Sequence, residues 1–105
     1  MKRLFCLAPE AKNDFREILS DIAEDSPETA ERIRVEFVSE LTKLGQHPGM
    51  GHYHEELLSR KYRFWKFHNY VIVYAWESKP IRMASFVHGA RDLSMFLSLR
   101  IGREN

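Results

Sequence analysis

The hydrophobic period of this chain changes once, and that change restricts its fold more than any other feature. Up to residue 44 apolar side chains recur at helical spacing, and from about residue 60 they alternate. Ala11, Phe15, Ile18, Leu19 and Ile22 mark one apolar stripe, with acids and bases on the opposite face. Ala30, Ile33, Phe37, Val38, Leu41 and Leu44 mark a second. Pro9 suits the first turn of the earlier helix, where a missing N–H costs nothing. The stretch Glu24-Asp25-Ser26-Pro27-Glu28 stops that helix and starts the next: Asp25 or Ser26 can cap it, and Pro27 suits its first turn. Gly45 and Pro48 are expected to end it. Two helices joined this tightly form an antiparallel hairpin. Residues 3–7 precede them as a short apolar strand.

Past the switch, residues 60–67 are aromatic-rich and alternate. His68-Asn69 reads as a two-residue turn, because Asn tolerates positive φ. Residues 70–77 are dense in β-branched and aromatic side chains, Ser78-Lys79-Pro80 turns the chain, and residues 81–88 form a third strand. The reading is an α+β fold of two layers: an N-terminal strand, a helical hairpin, a three-stranded antiparallel meander and a short C-terminal helix over residues 93–99. Alternation sends Arg63, Trp65 and Phe67 to one face and Tyr62, Phe64 and Lys66 to the other. Neither set is purely apolar, so part of the sheet is expected to escape the hairpin. A length of 105 residues corresponds to a single domain, 1–105. With 44% apolar and 30% charged residues the chain belongs among globular proteins rather than disordered ones.

One cysteine, Cys6, excludes an internal disulfide, and its apolar neighbours suit a buried, inert thiol. The start, Met1-Lys2-Arg3-Leu4, is followed by an apolar run broken at Pro9, Glu10 and Lys12, too short for a secretory core or a membrane span. The expected location is the cytoplasm, with no membrane partner. Charge is unevenly divided. Residues 1–50 hold seven Lys/Arg against ten Asp/Glu, a net −3, and residues 51–105 hold nine against five, a net +4. An acidic or polyanionic partner would meet the second half.

Three groups of residues could carry chemistry. His47, His52 and His54 with Glu55 and Glu56 are the densest set of metal ligands. An H-x-H pair in a loop supplies only two ligands, so the set reads as a polar surface loop, with no metal and no cofactor expected. Trp65, Phe67, Tyr70, Tyr74 and Trp76 interleave with Arg63 and Lys66. Such a mixture could stack nucleic-acid bases, but aromatics on adjacent strands favour cross-strand core pairs. The third group lies in FVHGARDL, residues 86–93. A ribonuclease attacking through the 2′-hydroxyl needs a base, an acid and cations, which His88, Arg63 and Arg91 could supply. Equally, Gly89 permits a sharp exit from the strand, Asp92 can cap the following helix, and Arg91 can pair with a carboxylate.

Several stretches in order resemble the RelE/ParE superfamily of bacterial type II toxins, in its ParE-like branch. LAPEAKNDFREI resembles the opening strand and first helix, IAEDSPETAERI the inter-helix turn, and LTKLGQHPGMG the end of the second helix. YRFWKFHNYVIVYAW resembles the arginine-bearing strand with its Tyr-rich hairpin, and FVHGARDL the closing signature. The resemblance spans about Leu4 to Leu97. It departs at Ala8, where a capping serine is frequent, and in the loop HYHEELLSRK. It implies a plasmid-stabilising toxin neutralised by a ParD-like antitoxin, whose C-terminal segment folds as it binds. DNA gyrase is the implied target, poisoned without chemistry of the toxin's own. Arg63, Lys66, Tyr74, His88, Arg91 and Asp92 then become target-binding residues, with residues after Asp92 outside the core. On that view Arg91→Ala, or truncation after Asp92, weakens toxicity while antitoxin binding persists. Two alternatives stay open: a RelE-like, ribosome-dependent mRNA endonuclease using His88, Arg63 and Arg91, and an inactive module that only binds antitoxin. After Asp92 the chain reads Leu93-Ser94-Met95-Phe96-Leu97, without the tyrosine and lysines usual in the RelE-like branch.

Overall fold

A computed structural model describes residues 3–89 and 92–101. Strand β1 is Phe5–Leu7, and helices α1 and α2 are Pro9–Asp25 and Pro27–Gln46. Strands β2, β3 and β4 are Tyr62–Phe67, Tyr70–Ala75 and Ile81–His88, and α3 is Leu93–Arg100. Both hairpin helices begin on proline, as their sequences require. Ser26 caps α2 by accepting a hydrogen bond from the Thr29 N–H, whereas Ala8 offers α1 no side-chain cap.

The meander appears as expected, with β2 antiparallel to β3 and β3 antiparallel to β4. It is extended by β1, which pairs parallel to β4 and completes a sheet of order β1-β4-β3-β2. β1 is short: it reaches only from Ile81 to Met83 along β4. Beyond that point α1 borders the strand, and the Asp14 carboxylate accepts the Phe86 N–H at 3.0 Å.

Two expectations change. Gly45 does not end α2, which runs on to Gln46 with His47 as its C-cap. The glycine instead lets the chain before β1 lie against the helix, since a Cβ there would stand 2.6 Å from the Leu4 carbonyl oxygen. In the β2–β3 turn Phe67 pairs with Tyr70, leaving two residues as expected, but positive φ falls on His68 (52°) rather than Asn69.

Packing resolves into two cores, one on each face of the sheet. On the hairpin face Phe37 is fully buried, with the rings of Phe15, Phe67 and Phe86 at 5.1, 4.8 and 4.9 Å around it. Ile72, Tyr74 and Met83 complete this core from the strands. The opposite face, which the hairpin leaves free, is covered by Leu57 and Leu58 of the loop before β2 and by α3. Leu58, Leu97 and Ile101 bury Tyr62, Phe64 and Val73 there. The expectation that the core ends at Asp92 is therefore corrected, because Leu97 of α3 and its C-cap Ile101 are both buried there.

Candidate functional site

Arg63 points to the hairpin face of β2 and meets the loop that precedes the strand. That loop is pinned by His52, whose N–H and C=O exchange hydrogen bonds with Phe64 at 2.8 and 2.7 Å. It delivers the Gly51 carbonyl, which accepts from Arg63 Nη1 at 2.7 Å, and the Tyr53 hydroxyl, at 3.2 Å from Nη2. The guanidinium lies over the rings of Tyr53 and Trp76, 4.2 Å from each centroid. Arg60 stacks on Tyr53 at 4.0 Å and pairs with Glu55. Trp76 Nε1 donates to the Arg60 carbonyl at 3.0 Å. Arg63 is thus held by its own fold.

Tyr74, expected among the target-binding residues, is a correction: it is fully buried and offers a partner no surface. Its hydroxyl donates to the Pro48 carbonyl at 2.7 Å and accepts from the Gly51 N–H at 2.9 Å, latching the loop after α2 onto β3. Gly51 has to be glycine, since a Cβ there would stand 2.5 Å from that hydroxyl. Burial pushes the Tyr74 hydroxyl above the usual tyrosine range, opposed by the Gly51 hydrogen bond and the Arg63 charge.

Lys66 is exposed on β2. His88 is exposed at the end of β4, its ring edge-on to Tyr70 at 5.4 Å. Asp92 caps α3 by accepting from the Met95 N–H at 3.1 Å, and Arg91 lies outside the described residues. Register separates the polar candidates. Arg63 aligns with Tyr74 and Met83, while His88 aligns with Tyr70 and Phe67 at the other end of the sheet. Four residues along and two strands across put Arg63 and His88 roughly 16 Å apart. Arg63 is held on its own loop at one end of the sheet, and the two side chains do not converge on one point.

The aromatic run divides as core packing does: Phe67 and Tyr74 are buried, and Trp65, Tyr70 and Trp76 pack partly buried beside them. Among the described residues no three His, Cys, Asp or Glu side chains gather as metal ligands. His52 stacks on Trp65 and His54 packs edge-on against Phe64.

Two features escaped sequence reasoning. One is the Tyr53–Arg63–Trp76 stack, whose partners come from separate segments. The other is a groove of about 500 Å³ between α1, the end of β4 and α3. Glu10, Asp14, Glu17, Asp21 and Asp25 line it from α1, a spacing of three and four that was visible in the sequence as a one-sided acidic row. Tyr70 lies in the same groove, and its hydroxyl is pushed up first by burial and then by the negative charge of Asp21.

Among the described residues no helix is long and apolar enough to cross a membrane. No curated protein sequence matches the chain. A family described as ParE toxin of type II toxin-antitoxin system, parDE, matches residues 6–93, stopping at the first residue of α3. With that match over most of its length and the strand, hairpin and meander in the order the resemblance implied, the chain belongs to the ParE toxin family of type II toxin–antitoxin systems.

Proposed function

We propose that this toxin acts in the cytoplasm by docking on DNA gyrase and trapping its DNA-bound intermediate, and that a ParD-like antitoxin neutralises it. What supports docking over nuclease chemistry is one observation. Arg63, the cation a ribonuclease would turn toward phosphate, is engaged by Gly51, Tyr53 and Trp76, about a sheet's length from His88. Docking needs complementary charge rather than a tuned acid and base, and the +4 half of the chain supplies it. Exposed Lys66 and His88, with Arg91 from the sequence, are the contact residues of this reading.

The test is induction of the chain alone in growing cells, with soluble folded protein confirmed for every variant. Arrest with broken DNA and gyrase covalently trapped on it is expected. His88→Gln retains arrest to within about threefold, because glutamine keeps a hydrogen-bonding group but no general base near neutral pH. Arg91→Ala weakens it. Ribosome-dependent cuts within codons, abolished by a folded His88→Gln protein, would replace this reading with the endonuclease. Absence of arrest would leave only antitoxin binding.

A further inference from the structure

We propose that the groove between α1, β4 and α3 seats a basic amphipathic segment of the antitoxin. This rests on the toxin reading and adds the partner's chemistry. Ile18, Ile22 and Phe96 are half-buried along the groove, so apolar side chains stand within a lining that is mostly polar. Elsewhere on α3, Met95 and Leu99 are 63% and 84% exposed.

The rim decides what fits. From Glu10 to Asp25 the acidic row runs 15 residues, about 22 Å of helix. Asp14 is neutralised by Arg100 at 2.6 Å. Among the described residues Glu10, Glu17, Asp21 and Asp25 make no ion pair. Like charges at this spacing repel one another, and a partner that brings cations relieves them. A helix of about 15 residues matches the length, with apolar side chains toward Ile18, Ile22 and Phe96 and Lys or Arg toward the acidic row. DNA and acidic peptides are excluded by sign.

Position argues for the antitoxin rather than the target. The groove ends at His88, one of the candidate contact residues, so a segment lying in it covers that end of the sheet. Neutralisation then follows from occupancy. The sign also differs from what the basic half requires, so the antitoxin would present acidic residues to one surface and basic residues to the other.

The experiment uses the full chain and the double variant Glu17→Lys/Asp21→Lys, whose two side chains are exposed and outside both cores. Two synthetic 15-residue helical peptides serve as probes, one of Lys and Leu and one of Glu and Leu with the same apolar face. The Lys–Leu peptide is expected to bind at least tenfold more tightly, to shift the NMR signals of Ile18, Ile22 and Phe96, and to lose tenfold or more on the double variant. Equal binding of the two peptides, or shifts elsewhere, overturns the groove assignment. For the occupant, an antitoxin is selected from the source genome as the clone that restores growth. The double variant should stay toxic while its rescue falls at least tenfold; full rescue overturns the antitoxin as occupant. A dimer of the chain that the double variant dissociates would assign the groove to a second copy and overturn it too. A chain that arrests nothing defeats the functional reading, and the two peptides still decide the groove.

Discussion

Tyr74 shows how one hydroxyl can tie loop to sheet. It is both donor and acceptor between the Pro48 carbonyl and the Gly51 N–H, at 2.7 and 2.9 Å. Tyr74→Phe leaves both backbone groups without that partner in a buried place and is expected to cost about 2 kcal/mol in urea unfolding. Its titration has a sign. The hydroxyl's folded pKa lies above the ordinary value of 10.0, so its contribution is complete below that pH. It is lost as pH climbs from there through the folded value. Above pH 10 the parent protein should therefore lose stability more steeply than Tyr74→Phe, and equal slopes would contradict the shift. Asp14 plays a comparable part elsewhere, accepting from Phe86 N, Ser85 Oγ and Arg100 Nη1 and so joining α1, β4 and α3.

At the scale of elements, α2 and β1 pose a contest between local propensity and packing. A glycine within a helix normally gains about 1 kcal/mol when replaced by alanine. Gly45 is expected to do the opposite, because the new Cβ would meet the Leu4 carbonyl oxygen at 2.6 Å and Leu4 Cβ at 2.7 Å. Part of that obstacle is backbone, so β1 must shift. Overpacking of this kind costs about 1–3 kcal/mol, which exceeds the helical gain. Gly45→Ala should lower Tm by several degrees. A higher Tm would mean that β1 yields freely.

For the whole molecule, the two cores make the C-terminal helix structural rather than an appendage. Truncation after Asp92 removes Leu97 and Ile101, both buried against Leu58, Phe64 and Val73. A loss of about 4 kcal/mol or more is expected, with fading near-UV circular dichroism and falling soluble yield. The truncated chain should accordingly lose antitoxin binding together with toxicity, contrary to what the resemblance implied. Leu99→Ala, at an exposed position, serves as the control and should leave folding unchanged. A truncated chain that stays folded would show that the sheet needs only one covered face.

The sequence by itself determined the elements and their order. A change of hydrophobic period is a local property, and Ser26, Pro9, Pro27 and Asp92 act on the helix ends beside them. It also separated Tyr62 and Phe64 from Arg63 and Trp65, because alternation alone assigns faces. What covers a face was left to the tertiary structure. So was the state of Arg63, whose partners Gly51, Tyr53 and Trp76 belong to a loop and the end of a hairpin. Asp14 and Phe86 meet across 72 residues, and the acidic row of α1 becomes one wall of a groove only where β4 and α3 come to face it. Such contacts depend on where chain closure brings distant segments, and no local spacing encodes that.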